Sequence, residues 1–196
     1  MGETKNNIEV EGKILNVSPE NVAKKLKEIN ATFINTLHYK RYVFDTIPSV
    51  ESRWIRLRTD GTKTTLTAKE IKNDSTTGTS EWEVVVSDLE TTLTILKKIG
   101  ISPKAVQENY RLLFEVEGDE VTIDFWPGLD PYIEIESADH NKIENIAGLL
   151  GFKAEDITGI NTQGLYKKKG IDLDNVKELT FEAEPSDIKQ ILLVVQ

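Results

Sequence analysis

Polar and apolar residues alternate with period two along much of this chain. The first instance is Ile8 to Ile14, where Glu9, Glu11 and Lys13 fall between Ile8, Val10 and Ile14. A β-strand built from this stretch carries its charges on one face and its apolar residues on the other. The same alternation returns at Arg56 and Arg58, at Glu81 and Glu83, and at Glu134 and Glu136, each pair set against hydrophobic neighbours. A solvated sheet face usually mixes Thr, Ser, Lys and Glu, because like charges kept together repel. Repeated charged pairs at spacing two therefore point to one shared polar cavity.

Between the strands the pattern changes to helical spacing. Ser18 and Pro19 suit a helix start, and Val22, Leu26 and Ile29 form one stripe of a helix running to about Asn30. Ala31 to Asp45, rich in Phe, Ile, Tyr and Val, predicts a long strand. Its facing stays open, since His38, Lys40 and Tyr42 share one parity and Tyr39, Arg41 and Val43 the other. Arg53 to Thr59 and Lys63 to Lys72 predict a hairpin about Asp60-Gly61. Trp54, Arg56 and Arg58 share a face of its first arm, and Lys63, Thr65, Thr67 and Lys69 a face of its second. A polar stretch, Asn73 to Thr79, leads to a strand over Glu81 to Val86. Asp88 then caps a helix reaching Ile99, which Gly100 ends. Ala105 to Glu117 and Val121 to Trp126 form a second hairpin, with Asn109 and Arg111 on one parity of the first arm and Asp124 opposite Ile123 and Phe125 in the second. Pro127 to Pro131 breaks the chain before a strand over Tyr132 to Ser137. A helix from about His140 to Leu150 follows.

About eight strands, mostly in hairpins, with three inserted helices predict an α+β fold. The expected architecture is an eight-stranded antiparallel closed β-barrel, since closure removes open sheet edges, with helices packed outside. If Glu9, Arg56, Glu81, Arg111, Asp124 and Glu134 face inward, Ile8, Ile55, Trp82, Leu112, Ile123 and Ile133 face outward and need that cover. The opposite assignment, an apolar interior with solvated charges, serves any single strand but accounts poorly for the clustered like charges. Residues 1–174 are expected to form one domain, with 175–196 as its C-terminal appendage. That tail holds a strand-like Leu179 to Ala183 and an apolar Ile188 to Val195.

Composition narrows the functional classes. A chain of 196 residues, 38% of them hydrophobic, suffices for one sizeable core. A formal net charge of −9 argues against nucleic acid or an anionic membrane as partner, while an anionic ligand remains compatible with basic residues gathered inside. Without cysteine there is no thiolate metal site or cysteine nucleophile. No run of about 18 apolar residues is present, and a cytoplasmic location is expected.

Glu9-Val10-Glu11-Gly12-Lys13 resembles the Glu-x-Glu-x-Lys signature of the CYTH superfamily, the triphosphate tunnel metalloenzymes that include class IV adenylate cyclases, thiamine triphosphatases and inorganic tripolyphosphatases. Arg56-Leu57-Arg58, Lys69, Glu81-Trp82-Glu83, Arg111, Asp124 and Glu134-Ile135-Glu136 follow in that family's order. Phe44-Asp45-Thr46 resembles its Tyr-Phe-Asp-Thr strand ending. The resemblance spans roughly Ile8 to Tyr166 and implies an eight-stranded antiparallel tunnel.

It also implies roles. Lys13, Arg56, Arg58, Lys69 and Arg111 would hold phosphates, with Lys13, Lys69 and Arg58 serving catalysis, since arginine can chelate two phosphate oxygens. Glu9, Glu11, Asp124, Glu134 and Glu136 would hold Mg²⁺ or Mn²⁺, hard cations that take oxygen ligands, with Asp124 and Glu136 central. Glu81 and Glu83 would bind a second metal or orient the arginines. The expected function is metal-dependent hydrolysis of a small-molecule triphosphate (tripolyphosphate, thiamine triphosphate or a nucleoside triphosphate) by a monomer or homodimer. The alternative is conversion of ATP to cyclic AMP and pyrophosphate, for which no adenine-reading constellation stands out. A non-catalytic polyphosphate binder ranks last, since no matched acidic position is lost. Trp54 suits either stacking on an organic group or packing at a tunnel end. His38 and His140 are lone histidines, His140 belonging on the surface, and Lys167 to Lys169 suit a solvated helix face better than a phosphate site.

Overall fold

The computed structural model describes residues 8–71 and 79–195; the side chains of Ile8, Glu9 and Thr79 lie outside that description. The expectations for Glu9 as a metal ligand and for the polar stretch after Lys72 therefore fall outside the described residues.

The charged alternation does form strands. β1 spans Ile8–Ile14, β2 Thr32–Asp45, β3 Arg53–Thr59, β4 Thr64–Ile71, β5 Thr79–Val86, β6 Ala105–Val116, β7 Asp119–Phe125 and β8 Tyr132–Ser137. Five helices accompany them: α1 (Pro19–Glu28), α2 (Leu89–Lys98), α3 (His140–Leu149), α4 (Thr162–Lys168) and α5 (Ser186–Val195). Asp88 caps α2 by accepting from the Thr91 amide, whereas Ser18 precedes α1 without a side-chain cap bond.

Neighbouring strands pair in the order β6, β2, β3, β4, β5, β1, β8, β7, all antiparallel, and β7 also pairs with β6. Two short strands join them. β9 (Ile157–Thr158) pairs with β1, and β10 (Glu178–Leu179) pairs with β6 in parallel. Among the described residues the sheet thus has ten strands, not the expected eight, and the chain has five α-helices, not three. Nor is it the expected barrel sealed by hydrogen bonds along a full seam. Between β5 and β1 the described register covers Ile8↔Ser80 and Glu9↔Thr79, and at Lys13 and Ile14 the strand β9 lies beside β1 instead.

One face of this curved sheet is apolar, and helices cover it except at β5, where Trp82 and Val84 are exposed. Ile14, Leu112, Phe114, Val121, Ile123, Ile133 and Ile135 form one core with Val22 and Leu26 of α1, Ile143 and Ile146 of α3, and Ile188 and Ile191 of α5. Phe44 and Leu57 pack under Leu93 and Leu96 of α2 in a second cluster. The third, Trp126, Tyr132, Leu165 and Tyr166, lies where α4 meets the ends of β7 and β8. The tail resolves into β10 and α5, the predicted strand over Leu179 to Ala183 being confined to Glu178–Leu179. No helix among the described residues is long and apolar enough to cross a membrane.

Gly12 is where the outer cover comes closest to β1. A Cβ there would lie 2.7 Å from Ile157 Cγ2 and 2.9 Å from Ile143 Cγ2, so β9 and α3 leave no room for one. Gly12→Ala should destabilise the protein by about 1–3 kcal/mol, the usual cost of overpacking. In an Ile157→Ala background, which lacks the Cγ2 atom that stands closest, the same glycine change should cost less. Urea denaturation in both backgrounds checks this, and an unchanged midpoint for Gly12→Ala would show that the contact relaxes freely.

Candidate active site

The uncovered face of the sheet encloses a cavity of about 1060 Å³. Strand alternation delivers its lining: Glu11 and Lys13 from β1, Tyr39 and Arg41 from β2, Trp54, Arg56 and Arg58 from β3, Lys69 from β4, Glu81 and Glu83 from β5, Asn109 and Arg111 from β6, Glu120 from β7, and Tyr132, Glu134 and Glu136 from β8. Every described candidate side chain lines this cavity except Asp124, which is fully buried beside it. The open facing of β2 is decided too, since Phe44 packs outward under α2 while Tyr39, Arg41 and Val43 turn inward.

Buried charges must be paired, and most here are. Lys13, 2% exposed, bridges Glu11 at 2.7 Å and Glu134 at 2.8 Å. Burial alone would lower its pKa, but the two carboxylates, Glu134 foremost, outweigh burial and raise it. Glu134 is the mirror case. Burial would raise its carboxyl, yet Lys13 and Arg111 hold it well below the usual carboxylate range. Arg111 donates from Nε to Asp124 Oδ1 and from Nη2 to Asp124 Oδ2, both at 2.9 Å, and reaches Glu134 at 2.6 Å. Burial opposes its charge, but Asp124 and Glu134 keep its pKa well above the ordinary arginine value.

Asp124, expected among the metal ligands, is held by protein partners on both oxygens. Its Oδ1 also accepts from Asn109 Nδ2 at 3.1 Å and its Oδ2 from the Thr122 hydroxyl at 2.9 Å, so each oxygen already accepts two hydrogen bonds. In this arrangement Asp124 orients Arg111. Nor do Glu11, Asp124, Glu134 and Glu136 form a ready-made cage; among the described residues no three carboxylates or imidazoles gather round one point. The physical reason is that Lys13 and Arg111 draw Glu11, Asp124 and Glu134 into ion pairs.

On the opposite wall Glu81 bridges Arg56 at 3.1 Å and Lys69 at 2.6 Å. Glu83 lies 3.5 Å from Arg56 and 3.9 Å from Arg58, and accepts from the Thr67 hydroxyl at 2.9 Å. Both carboxylates therefore lie against the basic side chains of this wall. The Arg58 guanidinium also lies 4.3 Å over the Tyr39 ring.

Two cavity residues escaped the sequence reading. Arg41, 7% exposed, is pushed well below the usual guanidinium range, first by burial and then by Arg56, Arg58 and Arg111, with Asp124 offsetting part. Glu120 stands directly across from Glu136, which stands across from Glu11, so three carboxylates sit side by side on β7, β8 and β1. Only the strand register reveals that neighbourhood, although the parity of Glu120 with Asp124 was legible. Glu136 has no ion pair or hydrogen bond among the described residues. The surrounding protein, then Glu120 and Glu134, push its carboxyl up to about 7, although it remains open to water in the cavity.

The other expectations divide. Trp54 lines the cavity. His38 stacks on Tyr110 at 4.1 Å and lies 3.5 Å from Glu108, and His140 is exposed beside Glu144 at 3.2 Å. Lys167 and Lys168 are exposed on α4, and Lys169 pairs with Asp130 at 2.8 Å.

The CYTH domain family model matches residues 7–159. The sequence matches no curated protein. Among solved structures, a protein from Pyrococcus horikoshii shares 21% identity over 81% of this chain and 99% of its own, with a TM-score of 0.69. A Vibrio parahaemolyticus protein named for adenylate cyclase shares 15% identity over 83% of this chain and 99% of its own, with a TM-score of 0.68. A Hippeastrum protein named for adenylyl cyclase, and described as having a dominant triphosphatase activity, shares 16% identity over 86% of this chain and 100% of its own, with a TM-score of 0.58. At these identities the likeness is one of fold.

Glu136 generates a pH test. With its folded pKa near 7, above the ordinary 4.5, the folded state keeps a proton between those values that the unfolded chain has released. Stability contributed by this group therefore falls as pH rises through that window. Urea midpoints at pH 5 and pH 7.5 should drop more for the wild type than for Glu136→Gln, which has no carboxyl to ionise. Parallel behaviour of the two would mean that Glu136 titrates normally.

Proposed function

The chain belongs to the CYTH domain family, and from that premise we propose that it hydrolyses a triphosphate inside this cavity in a reaction that depends on a divalent cation. The supporting observation is the division of charge across one enclosed space. Arg41, Arg56, Arg58 and Lys69 stand on β2 to β4, and Glu11, Glu120, Glu134 and Glu136 on β1, β7 and β8, with Lys13 and Arg111 among the acids. Such a cavity can neutralise a polyanion and hold a cation against it.

Lys13, Arg56, Arg58, Lys69 and Arg111 would take the phosphoryl oxygens, the arginines through paired N–H donors. Lys13, Lys69 and Arg58 would then stabilise charge that shifts in the transition state. Glu81 and Glu83 keep Arg56, Arg58 and Lys69 in place. For a cation the donor set fits: all oxygen, with Glu136 unpaired and crowded by Glu11, Glu120 and Glu134, a repulsion that a positive ion relieves. Mg²⁺ or Mn²⁺ held there would withdraw charge from the reacting phosphoryl group. Water attacks the terminal phosphorus and the shortened phosphate leaves, so tripolyphosphate yields pyrophosphate and orthophosphate.

A second reading, cyclisation of ATP to cyclic AMP and pyrophosphate, has one feature in its favour. The Trp54 indole and the Gln107 and Gln163 amides line the same cavity, offering a stacking surface and hydrogen-bonding edges for a base. Incubation with ATP, thiamine triphosphate and tripolyphosphate under Mg²⁺ or Mn²⁺, with products resolved, separates the readings. Orthophosphate release supports hydrolysis; cyclic AMP would replace it with the second reading.

Two variants separate the expected roles. Arg58→Ala should lower kcat/KM by about 100-fold or more, taking a lost charge-stabilising donor as about 3 kcal/mol, and added metal should not restore it. Glu136→Gln removes charge from the cation site, so its activity should collapse and partly return at higher metal concentration. If both variants respond alike to metal, the assignment of roles is wrong.

A further inference from the structure

Among the described residues, Lys13, Arg56, Arg58, Lys69 and Arg111 each have a carboxylate within 4.0 Å. Arg41 does not, although it is more than nine-tenths buried and lines the same cavity. One hydrogen bond, from Nη2 to Asn109 Oδ1, holds it, and its Nε has no acceptor. The Asn109 amide donates in turn to Asp124, so its carbonyl side is left for Arg41 and the nearest acid reaches Arg41 through a neutral group. The guanidinium lies 4.4 Å over the Trp126 ring, with Tyr39 at 5.9 Å, which confines its plane.

We propose that Arg41 is a further phosphoryl-binding residue of the cavity, its missing counter-ion being supplied by the substrate. This rests on the triphosphate reading above. The chemistry identifies the ligand's character. A guanidinium has five N–H donors and no acceptor, so its partner must accept hydrogen bonds and carry negative charge. A buried cation without a counter-ion is costly, and a buried N–H without an acceptor is a donor that a bound anion can use. Stacking on Trp126 fixes the plane in advance, which reduces the ordering cost of a paired N–H contact to phosphate oxygens. Arg41 stands across from Arg58 on β3, while the unpaired carboxylate Glu136 stands on β8. Arg41 thus extends the cationic wall without joining the acidic one, and it should affect binding more than the chemical step.

The test uses the full chain with Mg²⁺ and tripolyphosphate, read by thermal melting across a ligand titration and by steady-state kinetics. Arg41→Met removes the charge but keeps an unbranched side chain against Trp126. Its ligand-free melting temperature should equal or exceed that of the wild type, because the lost cation had no counter-ion. The tripolyphosphate concentration giving half the melting shift should rise about tenfold or more, as for a lost hydrogen bond to a charged group, and KM should rise more than kcat falls. Arg41→Lys, which keeps the charge, should recover part of both. Should Arg41→Met fail to fold, Arg41→Gln, which retains a donor toward Asn109, carries the same expectation. A variant with lowered ligand-free stability and unchanged ligand dependence would make Arg41 a structural clamp on Trp126 and overturn the proposal. A wild type that binds tripolyphosphate no better than the Arg41 variants do overturns Arg41's role alone. A wild type unmoved by tripolyphosphate, thiamine triphosphate and ATP overturns the triphosphate reading and this proposal with it.

Discussion

Charge turned inward is the constraint on which the rest of this structure depends. Lys13, 2% exposed and held between Glu11 and Glu134, sits at its centre. Confining such groups costs several kcal/mol for each ion taken from water, repaid only where geometry and hydrogen bonding are good. The repayment here ties strands together. Lys13 joins β1 to β8, Arg111 joins β6 to β7 and β8, and Glu81 and Glu83 join β5 to β3 and β4. Ion pairs of this kind add little net stability, but a wrong strand register would leave them unpaired, which penalises alternatives to the observed fold.

Because the interior is polar, hydrophobic stabilisation must come from the outer face. The helices are thus part of the core, not decoration. Val22 and Leu26 of α1, Ile143 and Ile146 of α3, and Ile188 and Ile191 of α5 meet the outward residues of β1, β6, β7 and β8, while α2 covers Phe44 and Leu57. Gly12 shows how closely cover and charge are linked. It lies between Glu11 and Lys13 in sequence, and its missing side chain admits Ile143 and Ile157 on the other face. The approach of α3 and β9 to β1 thus occurs at the strand that supplies the central lysine.

Much of this was legible because period-two alternation reports directly on strand faces. Arg53–Thr59 and Tyr132–Ser137 are strands with the expected limits, and the inward parity of Arg56, Arg58, Glu134 and Glu136 follows from it. Legibility failed where both faces mix polar and apolar residues. In β2, Tyr39, Arg41 and Val43 alternate with Lys40, Tyr42 and Phe44, and the packing of Phe44 under α2 decides the matter. It failed again where function depends on register between strands. Glu120 becomes a neighbour of Glu136 only through β7–β8 pairing, and Asp124 is saturated by Thr122 of its own strand and by Asn109 and Arg111, which only the β6–β7 register brings beside it. The tail gave an apolar run without a partner, and the partner is α1, far away in sequence.

Pairing within the cavity also shapes how it can accept a ligand. On the triphosphate reading, the carboxylates that now neutralise Lys13, Arg56 and Arg111 occupy donors that phosphoryl oxygens would take. A polyanion entering alone would release Glu11, Glu81 and Glu134 from their partners, and like charges would then face one another at short range. A divalent cation resolves this, since it offers the displaced carboxylates and the phosphate oxygens one shared counter-charge. A cation entering alone meets the opposite difficulty, because Lys13 and Arg111 already hold the acids it needs. Each ligand therefore removes an obstacle to the other, which is positive coupling between two binding events. It follows from the observed ion pairs without any change in backbone. The internal salt bridges would then keep the cavity neutral and open until both arrive.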